Sequence, residues 1–168
     1  MGCPVSEPRA ERTESAVQVR VASVDVYVLR PGREWEFLLL RRSSGTRCPR
    51  SWEVVHGRIE PSETPEDAAL REVREETGLE VERLYSVTVQ PFYLHRESTV
   101  YLAVAFAAFV ADLAPVVLGT EHDAFDWLGL AEATQRASWP RSRATMPDIL
   151  ALLGGGDAGP LEDVLRVR

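Results

Sequence analysis

The stretch "GRIEPSETPEDAALREVREETGL", Gly57 to Leu79, does most to limit what this chain can become. Thr64 is suited to cap a helix, Pro65 to its first turn, Glu66 and Asp67 to its positive end, and Gly78 to stopping it. On that helix Ala68, Ala69, Val73 and Leu79 turn toward a sheet, with Leu70 beside the alanine pair. Glu72, Glu75 and Glu76 project together from another face. Residues three and four apart are neighbours on a helix, so each like-charged pair costs roughly a few tenths of a kcal/mol. A solvated acidic face tolerates that repulsion, whereas a divalent-cation site requires it. Converging carboxylate oxygens are what Mg²⁺ or Mn²⁺ takes, with waters and substrate phosphates completing the shell. Arg71, beside the cluster, is placed to pair with Glu63 and brace the preceding loop against the helix.

The flanking segments read as strands. "VQVRVASVDVYVL" (Val17 to Leu29) alternates and is β-branched, and "EFLLLRR" (Glu36 to Arg42) is its expected hairpin partner across a turn at Pro31 and Gly32. "SSGTRCPRS" is a loop, and "WEVV" is a short strand running into His56 and Gly57. "LYSVTVQPFYL" and "STVYLAVAFAAFVA" flank a turn at His95 to Glu97 as a long hairpin. "AFDWLGL" is a further strand, and Leu130 to Leu153 is mainly helical. These elements predict an α/β fold of the α+β kind, a mixed β-sheet sandwiched between helices. The expected organisation is a loose tail over Met1 to Ser15, one domain over 16–153, and a Gly-rich break with a short appendage over 154–168.

Composition narrows the function. With 168 residues, 45% hydrophobic and 27% charged, the chain can bury a core as one domain. A net charge of −7 argues against binding a nucleic-acid polymer, which depends on neutralising phosphates, but leaves room for a small phosphorylated ligand bridged by a metal ion. The longest apolar run, Val100 to Ala111, is too short to span a bilayer, so no membrane partner is expected. Nothing resembles a signal peptide, and Cys3 and Cys48 lack metal-like spacing, so a reduced, cytoplasmic protein is expected. A homodimer is left open.

The residues Gly57, Glu63, Arg71, Glu72, Val73, Glu75, Glu76, Gly78 and Leu79 fill every fixed position of the pattern G-x5-E-x7-R-E-U-x-E-E-x-G-U, U being bulky and aliphatic. That pattern is the Nudix box, and the surrounding strand order is similar to the Nudix fold. The resemblance implies a hydrolase of nucleoside diphosphate derivatives that uses Mg²⁺ or Mn²⁺. It implies metal ligation by the Gly57 carbonyl and by Glu72, Glu75 and Glu76, with Glu75 also a catalytic candidate and Glu63 and Arg71 structural.

Outside the box, "TEH" and Trp127 in "GTEHDAFDWLGL" resemble the bacterial dATP and dihydroneopterin triphosphate pyrophosphohydrolases. That resemblance implies Glu121 as a metal ligand or general base, and Ser138 in "ASWPRSRATM" as a substrate contact; a loop acid and a helix cap are the plainer alternatives. Arg41 or Arg42 can fork onto phosphate oxygens, Arg41 being preferred by the same resemblance. His56 either touches substrate or packs beside its strand, and Phe92, Tyr93 and Trp139 are either stacking surfaces or core. The implied reaction converts a nucleoside or pterin triphosphate to monophosphate and pyrophosphate. The alternatives are another nucleoside diphosphate derivative (ADP-ribose, a dinucleoside polyphosphate, an oxidised nucleotide) or a ligand sensor without turnover.

Overall fold

The structure is a computed structural model that describes residues 18–168, so the expected tail over Met1 to Ser15 lies outside the described residues. The element order is β1 (Gln18–Arg30), β2 (Glu36–Arg42), β3 (Trp52–Glu53), β4 (Val55–Arg58), α1 (Pro65–Thr77), β5 (Arg83–Leu94), β6 (Thr99–Phe109), β7 (His122–Gly129), α2 (Leu130–Arg136), α3 (Pro140–Leu153), a single 3₁₀ turn (Gly159–Leu161) and α4 (Glu162–Leu165). The seven strands form one mixed sheet in which β1 runs parallel to β6 and every other pairing is antiparallel.

Strand alternation on β1 builds a core on each side of the sheet. Val24, Val26 and Val28 face α1 and meet Ala68, Ala69, Val73 and Leu79 there. Tyr27 and Leu29 face the other way, against Met146, Ile149 and Leu153 of α3. The expected sandwich is therefore present. No helix among the described residues is long and apolar enough to cross a membrane.

Two strands pair differently from the reading of the sequence. β2 meets β1 only at Leu29–Phe37 and Arg30–Glu36, and runs instead along β7 from Glu36–Gly129 to Arg42–His122. The edge of β1 that a full hairpin would occupy is taken by β4, from Ser23–Arg58 to Val26–Val55. "WEVV" divides at Val54: Trp52 and Glu53 pair with β2, while Val55 onward pairs with β1. One short segment thus joins two diverging parts of the sheet, with Glu53 on one and His56 on the other.

The helical stretch after β7 also breaks, between Arg136 and Pro140. Ser138 holds the break against β3: its N–H donates to the Trp52 carbonyl at 2.8 Å and its hydroxyl accepts from the Trp52 N–H at 3.0 Å. At the chain's end Arg166 bridges to Tyr85, and the Val167 N–H donates to the Leu84 carbonyl at 2.8 Å. The segment after the glycines therefore closes part of the free edge of β5.

Candidate active site

α1 begins and ends as its local chemistry dictates. The Thr64 hydroxyl accepts from the Asp67 N–H at 3.2 Å, Pro65 opens the first turn, and Gly78 closes the helix in the left-handed region at φ 68°. Arg71 reaches back from the helix and forks onto Glu63, Nε to Oε1 at 2.8 Å and Nη2 to Oε2 at 2.9 Å. Its Nη2 also donates to the Arg58 carbonyl at 2.9 Å, tying the loop between β4 and α1 to the helix. The fork and the Glu60 N–H hold the Glu63 carboxyl down at about 2.

The same guanidinium extends Nη1 to Glu72 at 2.8 Å and to Glu75 at 3.1 Å. Glu72 is mostly enclosed and lies directly over Gly57: a Cβ on Gly57 would fall 1.8 Å from the Glu72 Cδ. Glu75 is 59% exposed. Glu76 is half-buried, and its enclosed Oε2 has no hydrogen-bond partner among the described residues. Burial, then the charges of Glu72, Glu53 and Glu121, raise the Glu76 carboxyl well above the ordinary glutamate value, with Arg42 opposing. A buried oxygen with no donor among like charges is a position that a cation would satisfy.

Glu121 arrives from a loop docked on the end of α1. The Val117 N–H donates to the Thr77 carbonyl at 2.8 Å and the Gly119 N–H to the Glu76 carbonyl at 3.0 Å. Glu121 is 62% exposed, and its Oε2 accepts from Arg42 Nη2 at 3.2 Å. Arg42 in turn donates Nη1 to Glu53 at 2.9 Å. Glu53 is almost fully buried and is further held by Trp139 Nε1 at 3.2 Å and by His122 Nε2, 3.4 Å away. Burial raises the Glu53 carboxyl, and these partners outweigh it, leaving the group below its ordinary value.

Of the residues singled out from the sequence, Gly57, Glu72, Glu76 and Glu121 gather around one end of α1, with Glu75 on its rim. Arg71 and Arg42 hold Glu72, Glu75 and Glu121, and among the described residues no three acidic, His or Cys side chains are drawn together closely enough to ligate one ion. Alternation on β2 places Arg42, rather than Arg41, among these carboxylates; Arg41 instead pairs with Asp123 at 2.7 Å beside Trp52. The Ser138 hydroxyl is engaged by β3, and Trp139 is the cap position of α3. His56 lies on the opposite face of β4 from Gly57, 2.6 Å from buried Asp25. Phe92 stacks on Tyr101 with centroids 5.5 Å apart, and Tyr93 is exposed.

Sequence reasoning missed Glu53, Asp25 and Arg141. The available signal was an acid inside an apolar, alternating strand ("WEVV", "ASVDVYVL"), since a buried carboxylate demands partners.

Both the sequence and the fold match known proteins. The NUDIX domain matches residues 19–149. An octanoyltransferase from Myxococcus xanthus is 36% identical over 141 residues, which cover 82% of this chain; the chain spans only 38% of that protein's length. The mouse asymmetrical bis(5'-nucleosyl)-tetraphosphatase is 35% identical over 119 residues, covering 67% of this chain and 77% of that enzyme. The solved structure of the E. coli dihydroneopterin triphosphate pyrophosphohydrolase superposes with a TM-score of 0.67 at 25% identity, over 81% of this chain and 99% of that one. A family match over most of the chain, on a fold that encloses an intact glutamate box, makes this chain a member of the NUDIX family and a Nudix hydrolase.

Proposed function

We propose that this chain hydrolyses a nucleoside or pterin triphosphate to its monophosphate and pyrophosphate with Mg²⁺ or Mn²⁺. The observation that carries the reading is the buried, unpartnered Glu76 oxygen amid the charges of Glu72, Glu53 and Glu121. Family members generally use divalent metal ions, and the hard-oxygen donor set here fits one. The Gly57 carbonyl and the carboxylates of Glu72, Glu75, Glu76 and Glu121 would hold it. When bound, such an ion neutralises charge on the phosphate oxygens and acidifies water.

The chain's own residues divide the remaining work. Glu72 and Glu76 are enclosed and suited to fixed ligation. Glu75 and Glu121 are exposed and suited to taking the proton of the attacking water. Water adds to a phosphorus of the bridge between the first and second phosphates, the bridging P–O bond breaks, and pyrophosphate leaves. Arg42 stands where a guanidinium can follow the phosphates once Glu121 turns to the cation, while Arg41 is the outer candidate for the same contact. The net charge of −7 favours a small substrate over a nucleic-acid polymer, and a reduced, cytoplasmic setting fits the two cysteines.

Likeness over nearly the whole E. coli dihydroneopterin triphosphate enzyme supports the triphosphate. A second reading, cleavage of a dinucleoside polyphosphate, is favoured by the higher identity to the mouse tetraphosphatase. A panel of dATP, dihydroneopterin triphosphate, a dinucleoside tetraphosphate and ADP-ribose with Mg²⁺, with both products identified, separates them. Monophosphate plus pyrophosphate is expected, and ¹⁸O-labelled water shows which phosphorus is attacked. Orthophosphate as the primary product, or faster cleavage of the dinucleotide or ADP-ribose, would overturn the triphosphate assignment.

A further inference from the structure

One buried acid takes no part in the chemistry proposed above. Asp25, on β1, has no exposure and lies on the sheet face turned to α3. It is matched across the strand pair to His56, whose Nδ1 stands 2.6 Å from Oδ1. Arg141, in the first turn of α3, closes the other side, with Nε 2.6 Å from Oδ2 and Nη2 3.2 Å from Oδ1. The guanidinium itself rests on the rings of Phe92 and Trp139, 4.9 Å and 5.4 Å from their centroids. Asp25, the partner of His56, is therefore held in place from its other side.

Burial raises the Asp25 carboxyl, but the bonds from His56 and Arg141 outweigh it and keep the group below the ordinary aspartate value. A carboxylate only accepts hydrogen bonds, so His56 Nδ1 must be the donor. In the neutral ring that tautomer leaves a lone pair on Nε2. The His56 side chain is about one-third exposed (32%) and makes no other side-chain hydrogen bond among the described residues. An Asp25–Arg141 pair would tie α3 to the sheet without a partly exposed histidine on β4. His56 also precedes Gly57 and points to the opposite face of β4, so it borders the phosphate site without facing the glutamates.

We propose that Asp25 and Arg141 are positioning residues that present the His56 Nε2 lone pair to the substrate, where it accepts a hydrogen bond from a hydroxyl of the group carried by the first phosphate. That hydroxyl belongs to the sugar of a nucleotide or to the hydroxylated chain of a pterin. The inference rests on the triphosphate reading and adds a specificity residue to it.

The test compares dATP with 2′,3′-dideoxy-ATP, each with Mg²⁺. The wild type is expected to favour dATP by roughly tenfold in kcat/KM, the worth of one neutral hydrogen bond, and to do so through KM. His56→Phe brings that ratio near one by losing activity on dATP alone. In Asp25→Asn the new amide donates to Nδ1 and moves the ring proton to Nε2. The imidazole ¹⁵N resonances then exchange character and the discrimination falls, which a merely structural Asp25 would not cause. A wild-type ratio near one, an unchanged ratio in His56→Phe, or a wild-type ring protonated at Nε2 alone would each overturn the inference. Where Asp25→Asn does not fold, His56→Phe and the wild-type ¹⁵N spectrum decide. If the wild type cleaves neither nucleotide, the triphosphate reading fails. Binding of dATP without metal then judges this inference separately: a shifted Nε2 resonance sustains it, and an unmoved one sinks it.

Discussion

Replacing Gly57 by alanine tests whether the carboxylate cluster is held by close packing. Gly57 sits in β4 without a positive φ, so its backbone accommodates any residue, and the obstacle is contact alone. An added Cβ would stand 1.8 Å from Glu72 Cδ, 1.9 Å from Oε1 and 2.2 Å from Cγ, so Glu72 must leave its place. Departure breaks the 2.8 Å bond from Arg71 to Glu72 and disturbs a mostly enclosed side chain. The expected cost is about 1–3 kcal/mol, partly offset by the roughly 0.5–1 kcal/mol that alanine gains over glycine in a strand. Urea denaturation of wild type, Gly57→Ala, Glu72→Ala and the double variant measures it as a cycle. In the Glu72→Ala background the obstructing atoms are gone, so Gly57→Ala should become neutral or stabilising there. An equal cost in both backgrounds would refute the packing argument. Turnover should fall in Gly57→Ala whether or not stability does, because Glu72 is displaced.

Glu76→Gln keeps the volume and removes a charge from among Glu72, Glu53 and Glu121, so the metal-free protein should gain stability in urea while turnover falls on the order of a hundredfold or more. Glu121→Gln should lower kcat more than it raises KM, as steady-state kinetics will show, since the exposed side chain acts on the reaction rather than on the fold. A Cβ on Gly119 would meet the Glu75 carbonyl at 2.8 Å, so Gly119→Ala should lift this loop from α1, cost about 1–2 kcal/mol, speed amide exchange at residue 119 and slow turnover through Glu121. Folding lowers the Asp25 carboxyl, so it contributes stability above its unfolded value of about 3.9 that is lost as pH falls through the native one. Asp25→Asn should therefore be about 3 kcal/mol or more less stable than wild type at neutral pH, with the gap narrowing in urea titrations below about pH 4.

What the sequence determined by itself was local. Thr64, Pro65 and Gly78 set the ends of α1, and spacings of three and four placed Glu72, Glu75 and Glu76 on one face and Ala69 and Val73 on another, because helix geometry depends only on residues within a turn or so. Arg71 reaching back to Glu63 in the preceding loop was legible as a pairing of opposite charges close in sequence. Alternation showed that successive residues of β1 and β2 face opposite sides, but not which side carries the glutamates, so Arg41 and Arg42 could not be told apart. Only tertiary structure decided that. It gave one edge of β1 to β4, sent β2 to β7, and so brought Arg42 to Glu53 and Glu121. It also brought Arg141 to Asp25, from 116 residues away, with His56 beside them. Pairing between distant strands depends on the total area buried and on every polar group finding a partner, and no short window of sequence contains either quantity.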